Sequence, residues 1–153
     1  MKFRLVDKIT SWDRWRTITG IKAGSFEEYS LKEAFGDKPR LPEVLVLESF
    51  LQLGNWLIVL SSDFQQMGMV VRISQIRFLD HLLPGQRLEL EVRLTRRHED
   101  GFEFAGEGRV QGRSVIAGLG CLASPVSLAE YQNPEDLRVL FSEIYESREV
   151  RVP

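Results

Sequence analysis

A single cysteine, Cys121, in 153 residues leaves no partner for an internal disulfide, which excludes the small cross-linked secreted folds. Histidine is nearly as scarce: His81 and His98 are the only two, and with Cys121 they show no metal-ligand spacing. Net charge is almost absent, since 20 Lys and Arg against 22 Asp and Glu give −2. That removes the basic excess which nucleic acids and anionic membranes select. Unbroken apolar sequence is missing too. The longest such run, residues 44–60, is interrupted by Glu48, Ser49, Gln52, Gly54 and Asn55, so it reads as a buried helix rather than a membrane span. No repeat, low-complexity stretch or linker appears before the C-terminal tail, which leaves one folding unit. With no basic-apolar-small leader at Met1-Lys2-Phe3-Arg4, a reducing cytoplasm is the expected location. Gly118-Leu119-Gly120 lacks the following helix of a dinucleotide fingerprint, and no Gly-x-Ser-x-Gly elbow occurs, so neither cofactor nor metal is expected.

What is present suits one compact domain: 43% hydrophobic and 27% charged residues are enough to bury a core. Residues 3–10 and 15–23 are rich in β-branched and aromatic side chains and flank the polar Ser11-Trp12-Asp13-Arg14, the pattern of a hairpin. Residues 24–40 are polar and irregular. Pro42 and Glu43 then open the apolar segment, with proline at a first-turn position and a carboxylate near the positive helix end. After Ser61-Ser62-Asp63 the period falls to about two, and strands are predicted over 68–79, 86–97, 101–110 and 113–124. The clearest alternates Leu88, Leu90, Val92 and Leu94 with Arg87, Glu89, Glu91 and Arg93, so one of its faces is wet. Turn chemistry at His98-Glu99-Asp100-Gly101 and Gln111-Gly112 makes the last three strands an antiparallel meander.

A second helix starts at Asn133-Pro134-Glu135-Asp136, where cap, first-turn proline and acids fall in the favoured order. Its stripe of Leu137, Leu140, Phe141, Ile144 and Tyr145 packs on the body of the protein or on a partner. The whole reads as α+β: residues 1–127 form a curled antiparallel sheet around a central helix, and 128–153 form a helical tail on the same domain. A helix apolar on nearly every side needs more cover than one small sheet gives. A second subunit continuing the sheet is therefore expected, making a dimer.

The stretch Ala34-Phe35-Gly36-Asp37-Lys38-Pro39-Arg40-Leu41-Pro42-Glu43-Val44-Leu45-Val46-Leu47-Glu48-Ser49-Phe50-Leu51-Gln52 resembles the signature of the 3-hydroxyacyl-[acyl-carrier-protein] dehydratases, the FabA/FabZ family. Leu5-Val6-Asp7-Lys8-Ile9 is similar to that family's opening strand. Arg77-Phe78 with Leu83-Pro84-Gly85-Gln86-Arg87-Leu88 is similar to its later strand-turn-strand, so the likeness spans about residues 3–124. It implies a hot-dog fold, a dimer or trimer of dimers, and an acyl chain, delivered by acyl carrier protein or CoA, in a tunnel at the dimer interface. It also implies a composite site, in which a histidine of one subunit removes the α-proton and a helix acid of the other helps expel the β-hydroxyl. Glu48 matches the acid. The histidine opens a His-Phe-Pro-Gly motif that reads Ala34-Phe35-Gly36-Asp37 here, so the base is missing. The family's glycine at the helix start, whose backbone N–H holds the thioester carbonyl, is Glu43. By the same resemblance Phe35, Pro42, Phe50 and Gln52 lie beside the substrate.

Alanine cannot take a proton, and loss of a positioned general base costs about 10²- to 10⁴-fold in rate. Glu33 and Asp37 are near enough in sequence to substitute, though charged residues in an irregular loop are usually solvated. Glu48 sits among Val44, Leu45, Val46, Leu47, Phe50 and Leu51 on a helix expected to be buried, where an unpaired carboxylate is costly. Either it is a site acid, or it is a structural ion pair or a neutral carboxyl shared across the dimer. Arg93, Arg96 and Arg97 read as a docking patch for an acidic carrier protein or as a solvated strand end. Four functions remain open: a dehydratase-like acyl-thioester binder of fatty-acid or polyketide-type biosynthesis with lost or altered catalysis; the non-catalytic subunit of a heterodimer whose histidine comes from a paralogue; a hot-dog thioesterase acting through Glu48; and an unrelated binding module in which Glu48 is buried and structural. Acyl length depends on which of Phe50, Leu53, Trp56 and Leu57 line the tunnel.

Overall fold

The computed structural model describes residues 4–24 and 40–146. Six strands form one antiparallel sheet: β1 (Lys8–Asp13), β2 (Thr17–Ala23), β3 (Gln66–Phe78), β4 (Arg87–His98), β5 (Gly101–Val110) and β6 (Arg113–Ser127). Their spatial order is β1-β2-β4-β5-β6-β3. The meander is thus β4 to β6, while β3 crosses to the far side of β6 and becomes an edge. Alternation along β4 decides which way the sheet faces: Leu88, Leu90 and Val92 are buried and Arg87, Glu89, Glu91 and Arg93 are exposed.

The sheet curls around α1 (Glu43–Ser61). Phe50, Leu53, Leu57 and Ile58 are fully buried on it, Phe50 against Phe104 with ring centroids 6.1 Å apart. Helix and sheet approach closely at Gly54, where a Cβ would lie 2.8 Å from Phe104 Cε2. By length and composition α1 would suit a membrane, but most of it is buried inside this molecule.

Two starts differ from the sequence expectation. Pro42 is the N-cap of α1 rather than a first-turn residue, and its carbonyl accepts from the N–H groups of Leu45 at 2.9 Å and Val46 at 3.2 Å. The first hairpin turns at residues 14–16, not 11–14, so Trp12 and Asp13 belong to β1. Trp15 sets that turn with a left-handed φ of 56°, and its N–H donates to Ser61 Oγ at 2.8 Å, fixing the hairpin to the end of α1.

A 3-10 turn (Leu128–Glu130) leads into α2 (Pro134–Ile144), capped as the sequence predicts, with Asn133 Oδ1 accepting from the Glu135 N–H at 2.9 Å. Leu137 is buried and Phe141 lies 6.1 Å from Trp56 on α1. Past α2, the Glu146 N–H donates to Ile9 O at 2.8 Å along the β1 edge. That edge is partly occupied by the chain itself, and β3 is the longer open one.

Candidate functional site

Helix α1 and edge strand β3 enclose an open groove of about 300 Å³. One wall is a stripe of α1: Glu48, Leu51, Gln52, Asn55 and Ile58 recur at three- and four-residue spacing and so share a side of the helix. Met67 to Val70 form the opposite wall, Phe104 and Ala123 line it from the sheet, and Gln132 reaches in from the segment before α2. Asn55 Oδ1 accepts the Gly68 N–H at 2.8 Å, which holds strand to helix at the groove.

Glu48 is exposed, which corrects the expectation of a carboxylate inside the core. Its helix face is the one that the chain's own sheet leaves uncovered: Val44 is 67% exposed, and Leu47 and Leu51 are only half-buried. Gln52 is buried, and its Oε1 accepts the Leu5 N–H at 3.0 Å. With its oxygen so engaged, the amide turns its NH₂ outward, where Nε2 donates to Glu48 Oε1 at 3.4 Å. A neutral donor thus faces the carboxylate from one turn further along the helix.

Glu43 is the first residue of α1 and is exposed, and its N–H is among the four at a helix start that have no intrahelical acceptor. Pro42, Glu43, Glu48 and Gln52 therefore follow one another along the first half of the helix. Ala34, Phe35, Glu33 and Asp37 lie outside the described residues. Phe50 is moved from the substrate side to the core, as are Leu53, Trp56 and Leu57; Leu51, Asn55 and Ile58 take the groove instead.

Sequence distance concealed one neighbour. The Leu41 N–H donates to Leu82 O at 2.8 Å, laying the approach to α1 beside the turn after β3. His81 Nε2 then meets Arg40 Nη1 at 3.0 Å. Arginine only donates, so Nε2 accepts and Nδ1 carries the hydrogen. Nδ1 is buried, and among the buried side-chain polar atoms of the described residues it is the one left without a partner. Of the arginines on β4, Arg96 lies 3.8 Å from Glu103 and Arg97 stacks 3.8 Å above the Trp15 ring, so both are engaged within the chain.

A curled antiparallel sheet around one buried helix, with a carboxylate on the helix flank that the sheet leaves open, defines a hot-dog protein. Solved structures share the fold: the Thermanaerovibrio acidaminovorans hot-dog-like protein (TM-score 0.62, 15% identity, 81% of this chain and 87% of that one), and smu.793 from Streptococcus mutans UA159 bound to acetyl CoA (TM-score 0.63, 9% identity, 78% and 88%). The chain belongs to the FabA-like family, whose domain model matches residues 1–118. The 3-hydroxyacyl-[acyl-carrier-protein] dehydratase FabZ of Magnetococcus marinus is 33% identical over 113 residues, 72% of this chain and 74% of that protein. FabZ of Nitratidesulfovibrio vulgaris is 30% identical over 138 residues, 88% and 85% respectively.

Proposed function

We propose that this protein binds acyl thioesters of acyl carrier protein or CoA in the groove beside Glu48, as a homodimer joined along β3, and that alone it does not dehydrate 3-hydroxyacyl substrates. The observation that carries this reading is Glu48 itself, exposed on the groove wall of a FabA-like chain with the Gln52 amide turned towards it. A carboxyl so placed can protonate a departing hydroxyl or hold a substrate hydroxyl. The Glu43 N–H, at the positive end of α1, is a donor for a thioester carbonyl.

Elimination needs a second group to accept the α-proton, and residue 34 is alanine. The Glu43 carboxylate adds negative charge near the place where an enolate would form, which opposes the same step. Both features favour binding without ordinary turnover.

The test is dehydration of 3-hydroxyacyl-carrier-protein thioesters by the purified protein, alone and mixed with a histidine-bearing paralogue, with Glu48→Gln as control. The expected result is saturable binding and no turnover alone. Activity confined to the mixture and lost with Glu48→Gln would establish a heterodimeric dehydratase instead. Free thiol released without dehydration, and abolished by Glu48→Gln, would establish a thioesterase. Turnover by the protein alone would show a substitute base, and His81 beside Arg40 is the first residue to remove.

A further inference from the structure

We propose that the tail segment carrying Gln132 closes the groove at the end remote from Glu48 and so sets the longest acyl chain the protein accepts. This rests on the acyl-thioester reading above. The segment follows the part of the chain that the family model matches, residues 1–118.

Its position follows from two backbone bonds. The Leu128 N–H donates to Gln65 O at 3.0 Å, and the Gln132 N–H donates to Leu128 O at 2.9 Å. Gln132 is thereby tied to the turn that ends α1, whereas Glu48 lies in the first half of that helix. The tether is firm. Leu128 is fully buried, and Arg138 contacts the same turn, with Nη2 3.3 Å from Asp63 O and its guanidinium 4.4 Å above the Phe64 ring. Asp63 and Phe64 both have left-handed φ, 53° and 60°, a conformation non-glycine residues hold only when their surroundings fix it.

Glu48 and Ile58 are ten residues apart, about 15 Å of helix. A C–C bond of about 1.5 Å advances an extended chain by roughly 1.3 Å, so the groove takes about twelve carbons. Along this path Leu51, Met67 and Val70 offer apolar surface, and the amides of Gln52 and Asn55 already accept backbone N–H groups. A longer chain would meet the Gln132 side chain, which the tethered segment holds in place, and would find no further apolar surface there. Each methylene short of that point adds about four-fold to affinity, and those beyond it add nothing.

The experiment titrates the full-length protein with saturated acyl-CoA thioesters from two to sixteen carbons, with free CoA as reference. Three forms are compared: wild type, Gln132→Ala and Gln132→Trp. Wild-type affinity should climb to about twelve carbons and stop. Gln132→Ala should move the stop to longer chains and Gln132→Trp to shorter ones, the difference between the three forms growing with chain length. Short chains that bind with the same stop in every form would overturn the inference and leave the function standing, as would affinity independent of chain length. No binding of any acyl-CoA above free CoA, and none of a carrier-protein thioester, would overturn both.

Discussion

Cys121 faces the core from β6 with no exposed surface. Burial lifts its thiol from 9.0 to about 11, and the negative Glu103 nearby adds to the shift. The protonated form is the one the fold favours. Its contribution is therefore full below about pH 9 and lost as pH rises to about 11; a shift of this size is on the order of 2–3 kcal/mol. Urea unfolding of wild type and Cys121→Ala across that window should show the wild type losing stability more steeply. Parallel curves would mean the thiol titrates normally. At neutral pH the thiol should resist alkylation until the protein is unfolded, because the thiolate is the nucleophile. At this scale the sequence was informative about Glu48 and Gln52, whose i,i+4 spacing holds on any helix. It was silent on Phe50, Leu53, Trp56 and Leu57. A helix apolar all round does not disclose which side its sheet will take, and that side is what separates core from groove.

Among the elements, legibility followed local chemistry. Asn133-Pro134-Glu135 states a helix start on its own terms, and the structure has the cap in place. Asn133→Ala removes the acceptor for the Glu135 N–H and should cost about 1 kcal/mol, seen as faster amide exchange in the first turn of α2 with little change in β4 and β5. Uniform loosening of the whole molecule would instead mean that α2 and the sheet unfold as one unit. The β1–β2 turn was misplaced because its cause is distant: Trp15 adopts a left-handed φ under the hold of Ser61, 46 residues away. The approach of β4 to β5 is similarly invisible in sequence. A Cβ on Gly106 would sit 2.1 Å from Glu91 O, a backbone atom that cannot step aside. Gly106→Ala should therefore destabilise by about 3 kcal/mol, the upper part of the overpacking range, measured as a lower urea midpoint. A cost under about 0.5 kcal/mol, the size of an ordinary surface change, would mean the strands are further apart than this.

At the scale of the whole molecule, part of the uncovered apolar surface lies on the open flank of α1 and along β3 and its neighbour β6. Val44 on α1, Met69 and Val71 on β3 and Leu119 on β6 are 67%, 43%, 64% and 51% exposed, and β3 offers thirteen residues of edge. An open strand with apolar side chains is a template for another strand, and a second copy adding its own β3 would extend the sheet and cover the exposed flank of α1. The same contact would roof the groove, because Met67 to Val70 form one of its walls. Oligomerisation and thioester binding should therefore fail together. Wild type is expected to sediment at about twice its chain mass of 17.6 kDa. Val71→Lys places a charge on the edge, a device by which natural sheets prevent such pairing, and it should give a folded monomer whose acyl-CoA affinity falls at least about ten-fold. Two results would sink the link between assembly and site: a monomeric wild type that binds acyl-CoA normally, or a monomeric variant that binds as tightly as the dimer.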